Sequence, residues 1–97
     1  MELSKQTVLI TGASRGVGAA LATAFAKEGA NVIVNYFNSK EKAENLVKIL
    51  GDHAIAIQAD VRDKEQVNEM VVKAKNYFNT PITTIINNAL IDFRFNP

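Results

Sequence analysis

The 97-residue chain carries 11 Lys and Arg against 10 Asp and Glu, is 47% hydrophobic, and has no cysteine. That length allows one small domain, which buries roughly 65% of its unfolded surface. The composition excludes a disordered chain, a disulfide scaffold and thiolate chemistry, and a net charge of +1 without a basic run gives no footprint for nucleic acid or an anionic membrane.

Met1 to Lys5 lack the basic start and apolar stretch of a signal peptide, and no apolar run reaches a membrane-spanning length. A cytoplasmic protein is therefore expected. Thr7 to Thr11 is a continuous apolar, β-branched run, as in a strand covered on both faces. From Arg15 to Lys27, Val17, Ala20, Leu21, Ala24 and Phe25 recur with helical spacing, and Gly29 supplies a stop. Val32 to Val34 reads as a second strand. Ala43, Leu46, Val47 and Leu50 mark a second helix, with Ser39 as its N-cap and Gly51 beyond its end. Ala54 to Gln58 reads as a third strand. Asp63 and Gln66 form a capping-box pattern, opening a helix with the stripe Val67, Met70, Val71, Ala74 and Phe78. Thr80-Pro81 breaks that helix, and Ile82 to Asn87 is a fourth strand.

Strands separated by helices run parallel, with right-handed crossovers. The expected fold is α/β: one half of a Rossmann-type, doubly wound parallel sheet, βαβαβαβ, with strand order 3-2-1-4. The first two helices should cover one face and the third the other. The fourth strand is then left as a bare edge, and the tail Ile91 to Pro97 holds two phenylalanines with no stop signal. Residues 1–97 thus read as a single partial domain, cut short at its C-terminal side.

The strongest motif is Thr11-Gly12-Ala13-Ser14-Arg15-Gly16-Val17-Gly18, placed where the first strand passes to the first helix. Gly12 permits the tight turn, Gly16 lets backbone approach a pyrophosphate, and Gly18 lets the helix pack close to the strand. The helix N-terminus then offers unpaired N–H groups and a positive dipole end to phosphates. This wording resembles the nucleotide-binding motif of the short-chain dehydrogenase/reductase family. Asp60-Val61 follows the third strand, where that family contacts adenine, and Asn87-Asn88-Ala89 ends the fourth, where the family carries Asn-Asn-Ala-Gly. Leu90 replaces the glycine of that motif. The resemblance runs from Ser4 to Leu90 and is greatest to 3-oxoacyl-acyl-carrier-protein reductases.

It implies a dinucleotide site built from Gly12, Ser14, Arg15, Gly16, Val17, Gly18, Tyr36, Asp60, Val61, Asn88 and Ala89. An acidic residue about 20 positions beyond the glycines takes the ribose 2′-hydroxyl of NAD in this fold. Here Val34-Asn35-Tyr36-Phe37-Asn38 holds no carboxylate, Tyr36 stands in its place, and Arg15 offers a cation to a 2′-phosphate. NADP(H) is thus expected over NAD(H). Acyl carrier protein as partner, fatty acid biosynthesis as setting and a homo-oligomer are likewise what the resemblance implies.

Family members work through a serine and a Tyr-x-x-x-Lys pair that lie downstream of the fourth strand, while the nicotinamide carries the hydride. The one Tyr-x-x-x-Lys present, Tyr36 to Lys40, follows the second strand, on the adenine side. His53 reads as a solvated turn residue, and Glu41, Glu44, Glu65 and Glu69 as solvated helix faces. No catalytic set and no metal site is expected in this chain. The leading reading is the cofactor-binding part of an NADP-dependent carbonyl reductase. The alternative is a non-catalytic nucleotide-binding or scaffold module. An S-adenosylmethionine methyltransferase would need an acid at the end of the second strand.

Overall fold

The computed structural model of the protein describes residues 5–14 and 16–88. Arg15, Ala89, Leu90 and the tail Ile91 to Pro97 lie outside the described residues. Four strands, β1 (Thr7–Ile10), β2 (Asn31–Tyr36), β3 (Ala54–Gln58) and β4 (Thr84–Ile86), alternate with α1 (Gly16–Lys27), α2 (Lys40–Leu50) and α3 (Lys64–Phe78). They form one sheet in the order β3-β2-β1-β4, and its strands run parallel, as the alternation of elements requires. β1 and β4 are shorter than the apolar runs that predict them.

Register decides which side chains meet. Val8, Ile10, Val32 and Val34 point to one face, where Ala22, Ala43, Leu21, Phe25, Leu46 and Leu50 cover them. Leu9, Ile33 and Ile57 point to the other and meet Met70, Ala74 and Phe78 of α3. The helices therefore divide two to one. The exposed edge is visible in β4, where Ile85, register partner of the buried Leu9, remains 55% exposed.

The stripe on α1 is rotated from its expected position. Val17, Ala20 and Ala24 face outward, and the helix packs through Gly18, Leu21, Ala22, Phe25 and Ala26. Alanines lie all round this helix, so apolar spacing has little contrast. Gly18 decides instead, because it alone admits no Cβ against the turn, and Ala22, one turn further on, is buried with it. The stripe of α2 is as the periodicity predicts; on α3, Met70, Ala74 and Phe78 enter the core, and Val67 and Val71 of the same stripe are half-buried.

The caps differ in kind. Asp63 accepts hydrogen bonds from the backbone N–H groups of Glu65 (3.0 Å) and Gln66 (3.4 Å). Gln66 does not return to the Asp63 N–H as a capping box would. Its Nε2 donates to Asp63 Oδ2 at 3.0 Å, and its Oε1 accepts the Asp60 N–H at 2.8 Å. Ser39 stands at the start of α2 but makes no side-chain capping bond. Asn79, in the left-handed conformation with φ 57°, ends α3 before Pro81 is reached.

At the N-terminal ends of the strands a polar belt crosses the sheet. His53 Nδ1 lies 3.1 Å from Asn31 Oδ1, Asn31 Nδ2 donates to Thr7 Oγ1 at 3.3 Å, and the Thr7 N–H donates to Thr83 Oγ1 at 2.9 Å. Gln6 Oε1 accepts from the hydroxyls of Thr83 and Thr84.

Asp63→Ala is expected to cost about 1 kcal/mol of stability, and Ser39→Ala to stay within about 0.5 kcal/mol of the parent. Urea denaturation of the two variants checks this; equal losses would contradict the difference in capping.

Candidate functional site

The opposite pole, at the C-terminal ends of the strands, is where α/β sheets bind ligands. The chain leaves β1 there and turns through Thr11, Gly12, Ala13 and Ser14. The turn is strapped on both sides. Toward β4, the Thr11 N–H donates to Ile86 O at 3.0 Å, and Asn88 Nδ2 donates to Gly12 O at 3.0 Å. Toward β2, Asn35 Oδ1 accepts the Gly12 N–H at 3.2 Å and Asn35 O accepts the Ala13 N–H at 2.9 Å.

Two glycines show opposite requirements. A Cβ on Gly18 would sit 2.7 Å from Asn88 Nδ2, 2.7 Å from Gly12 O and 2.8 Å from the Ala13 Cα. No side chain fits there, and α1 lies against the turn because of it. Gly16 has φ +64°, and a Cβ there would meet nothing within 4 Å. Its backbone opens to empty space at the helix start. The first turn of α1 holds no acidic residue, so no carboxylate there opposes an anion at the helix start.

Of the predicted site residues, the structure joins Gly12, Gly18 and Asn88 in direct contact, with the half-buried Ser14 and the exposed Gly16 and Val17 alongside. Asn88 braces the turn, whereas Asn87 is exposed. Tyr36 closes β2 at 7% exposure and belongs to the core cluster that includes Ala13. Asp60 and Val61 follow β3, two strands and about 10 Å from β1. They share the pole with the turn, at a separation that an extended ligand would span.

Asp60 is engaged. Arg62 donates to it through Nε (3.0 Å), Nη2 (3.1 Å) and its backbone N–H (2.9 Å). The side-chain hydrogen bond holds the Asp60 carboxyl below the usual carboxylate range, and Asp60 raises the guanidinium pKa in turn. The depressed acid favours the paired state above the ordinary carboxylate pKa, and that preference is lost as pH falls through the lowered value.

Other candidates fall elsewhere. Lys40 is exposed at the start of α2 while Tyr36 is buried, so the local Tyr-x-x-x-Lys does not form a reactive pair. His53 is exposed at the far pole, and Glu41, Glu44, Glu65 and Glu69 are exposed on helices. Among the described residues no three His, Cys, Asp or Glu cluster as metal ligands, and no helix is long and apolar enough to cross a membrane.

Sequence reading missed Asn35 as a structural participant, noting only that it is not an acid. The signal was available: an amide inside the apolar run Val32-Ile33-Val34-Asn35-Tyr36 must find hydrogen-bond partners if the strand is buried.

A parallel sheet with this strand order, helices on both faces and a glycine turn at the end of its first strand defines a Rossmann-type fold. Residues 6–96 match the family model for short chain dehydrogenase, and the chain belongs to that family. It is 44% identical over 92 residues to the 3-oxoacyl-acyl-carrier-protein reductase FabG of Staphylococcus aureus, covering 92% of this chain and 37% of that protein. Among solved structures, a 3-ketoacyl-acyl-carrier-protein reductase from Brucella melitensis complexed with NADH matches with TM-score 0.78 and 34% identity, over 86% of this chain and 34% of that one. The FolM alternative dihydrofolate reductase 1 from Brucella canis, complexed with NADP, matches with TM-score 0.80 and 26% identity, over 91% of this chain and 36% of that one. The chain thus spans little more than a third of the length of these relatives.

Gly18→Ala is expected to destabilise the protein by about 1–3 kcal/mol. Adding Asn88→Ala should not restore it, because the Gly12 and Ala13 backbone atoms remain as close; recovery in thermal unfolding would contradict this. Carboxyl-carbon NMR should find Asp60 titrating below the usual carboxylate range, and Arg62→Ala should return it toward that range. An unchanged midpoint would remove Arg62 as the cause.

Proposed function

We propose that the chain is the cofactor-binding part of an NADP-dependent carbonyl reductase that acts on a 3-oxoacyl thioester of acyl carrier protein. The observation that carries this reading is the strapped glycine turn, with the Gly16 backbone open to solvent at the start of α1. The turn and the unpaired N–H groups of α1 would receive the pyrophosphate. Gly12, Ser14, Gly16, Val17 and Gly18 line that approach, and Asn88 borders it beyond β4; Ala89, next in the sequence, belongs to the same expected set. Asp60 and Val61 would flank the adenine, with Tyr36 beneath the adenosine ribose. Relatives of 26–34% identity hold NADH or NADP, and a FabG reductase is 44% identical, which supports the class of cofactor and of substrate.

The end of β2 supports the preference for NADP(H). Asn35, Tyr36, Phe37 and Asn38 place no carboxylate where a 2′-phosphate would sit, so there is no charge to repel it, and Arg15 of the glycine motif would offer a cation. The cofactor, when bound, supplies the hydride. This chain's residues bind and orient it. The serine and Tyr-x-x-x-Lys that handle the carbonyl and its proton would come from the part of a longer reductase that this chain does not match. Association into a homo-oligomer and a place in fatty acid synthesis belong to the same reading.

Titration of nicotinamide fluorescence tests the proposal. NADPH should bind more tightly than NADH, and Arg15→Ala should weaken NADPH about 30-fold, as expected for one charge-assisted hydrogen bond, with little effect on NADH. Gly16→Val should abolish binding of both while the circular dichroism of the fold persists. Equal losses for the two cofactors would remove Arg15 from the 2′-phosphate; unaltered binding by the Gly16 variant would remove the turn from the site. Binding with no reductase activity in the full polypeptide would favour a non-catalytic nucleotide-binding module.

A further inference from the structure

We infer that Asn35 is a positioning residue for the dinucleotide site, its buried carboxamide setting the shape of the turn that receives the pyrophosphate. This rests on the dinucleotide-binding reading above. Asn35 is 2% exposed. Its Oδ1 accepts from the Gly12 N–H at 3.2 Å, and its Nδ2 donates to Ala59 O at 3.2 Å and to Ile57 O at 3.4 Å. With its backbone oxygen on the Ala13 N–H, this one residue ties the glycine turn to the ends of both β2 and β3.

Two consequences follow for a ligand. The N–H groups of Gly12 and Ala13 are consumed inside the protein, so the groups left for a phosphate lie further on, from Ser14 into the first turn of α1. The position also demands an acceptor on one arm of the side chain and a donor on the other, which a carboxamide supplies and a carboxylate does not. A carboxylate here would face the carbonyl oxygens of Ile57 and Ala59. Burial and those two acceptors would favour its protonated form, which accepts from Gly12 while donating to Ala59. Asn35→Asp is therefore expected to turn a constant strap into one set by pH.

The ionisable groups nearest to this position are accounted for. Asp60, next to Ala59, is paired with Arg62. Tyr36, the following residue of β2, lies in the core cluster of the other sheet face. On α3, Asp63 caps the helix, and Glu69 and Lys73 are exposed.

The experiment titrates NADPH and NADH into the protein and its Asn35→Asp and Asn35→Leu variants between about pH 6 and about pH 9, and follows the Gly12 amide by NMR. NADH carries no 2′-phosphate to ionise, so it separates the ligand's titration from the protein's. Relative to the parent at each pH, Asn35→Asp should bind within about threefold at the acid end and at least about tenfold more weakly at the alkaline end, with the Gly12 amide signal moving in step. Asn35→Leu should bind weakly throughout. Parent-like binding by both variants, or weak binding of Asn35→Asp that ignores pH, would overturn the inference. If the parent binds neither dinucleotide, the cofactor reading itself falls, and a Gly12 amide that does not titrate in Asn35→Asp separately removes the strap. Should Asn35→Asp not fold, side-chain amide exchange in the parent decides. The Asn35 Nδ2 protons should exchange more slowly than those of the exposed Asn45, and more slowly still with NADPH bound; exchange as fast as Asn45, or unmoved by NADPH, overturns the inference.

Discussion

The close approach of α1 to the turn after β1 is the constraint on which the rest of the structure depends. At Gly18 the helix lies so near Gly12 and Ala13 that a methyl group has no place. This contact sets where the helix begins, which of its sides meets the sheet, and where its unpaired N–H groups emerge. The rotation of the apolar face to Leu21, Ala22 and Phe25 follows from it, since a helix pinned at Gly18 can pack only through residues one turn further along that line. The open backbone at Gly16 follows too, because the same pinning leaves the preceding corner beyond the edge of the core.

Side-chain amides do much of the work at that pole. Asn88 reaches the turn from the β4 side and Asn35 from the β2 side, and each replaces hydrogen bonds that a strand ladder no longer supplies once the chain has left the sheet. The arrangement suits a site that must present backbone groups to a charged ligand while keeping its own buried groups satisfied. Among the described residues, no buried side-chain nitrogen or oxygen lacks a partner.

Much of this was legible in the sequence. The alternation of β-branched runs with helical stripes settled the order of elements and from it the parallel sheet, while the order 3-2-1-4 came with the Rossmann-type reading. Glycine spacing at a strand-to-helix junction located the turn. Reading failed where contrast or reach was lacking. On α1, alanine on every side erased the periodic signal. At Ser39, residue type suggested a cap that the backbone conformation, with ψ 58°, does not form. For Asn35 and Asn88 the partners lie 22 to 76 residues away in the chain. Local patterns show that such an amide needs partners; only the assembled sheet shows which.

The position of β1 at the centre of the sheet has a consequence for the timing of folding. Its pairing with β4, Val8 opposite Thr84, joins residues 76 apart in sequence, so the first strand synthesised is among the last to be fully paired. At ordinary elongation rates the interval between the two strands leaving the ribosome is roughly 4 to 15 seconds. Until β4 arrives, β1 can at most pair with β2 on one side, and its other edge of amides stays open. Such long-range closure is slow and is reached after the local βα units have formed. The polar side chains of Gln6 and Thr7 keep the waiting edge hydrated, and the hydrogen bonds of these two residues to Thr83, which arrives with β4, give that strand one register to enter.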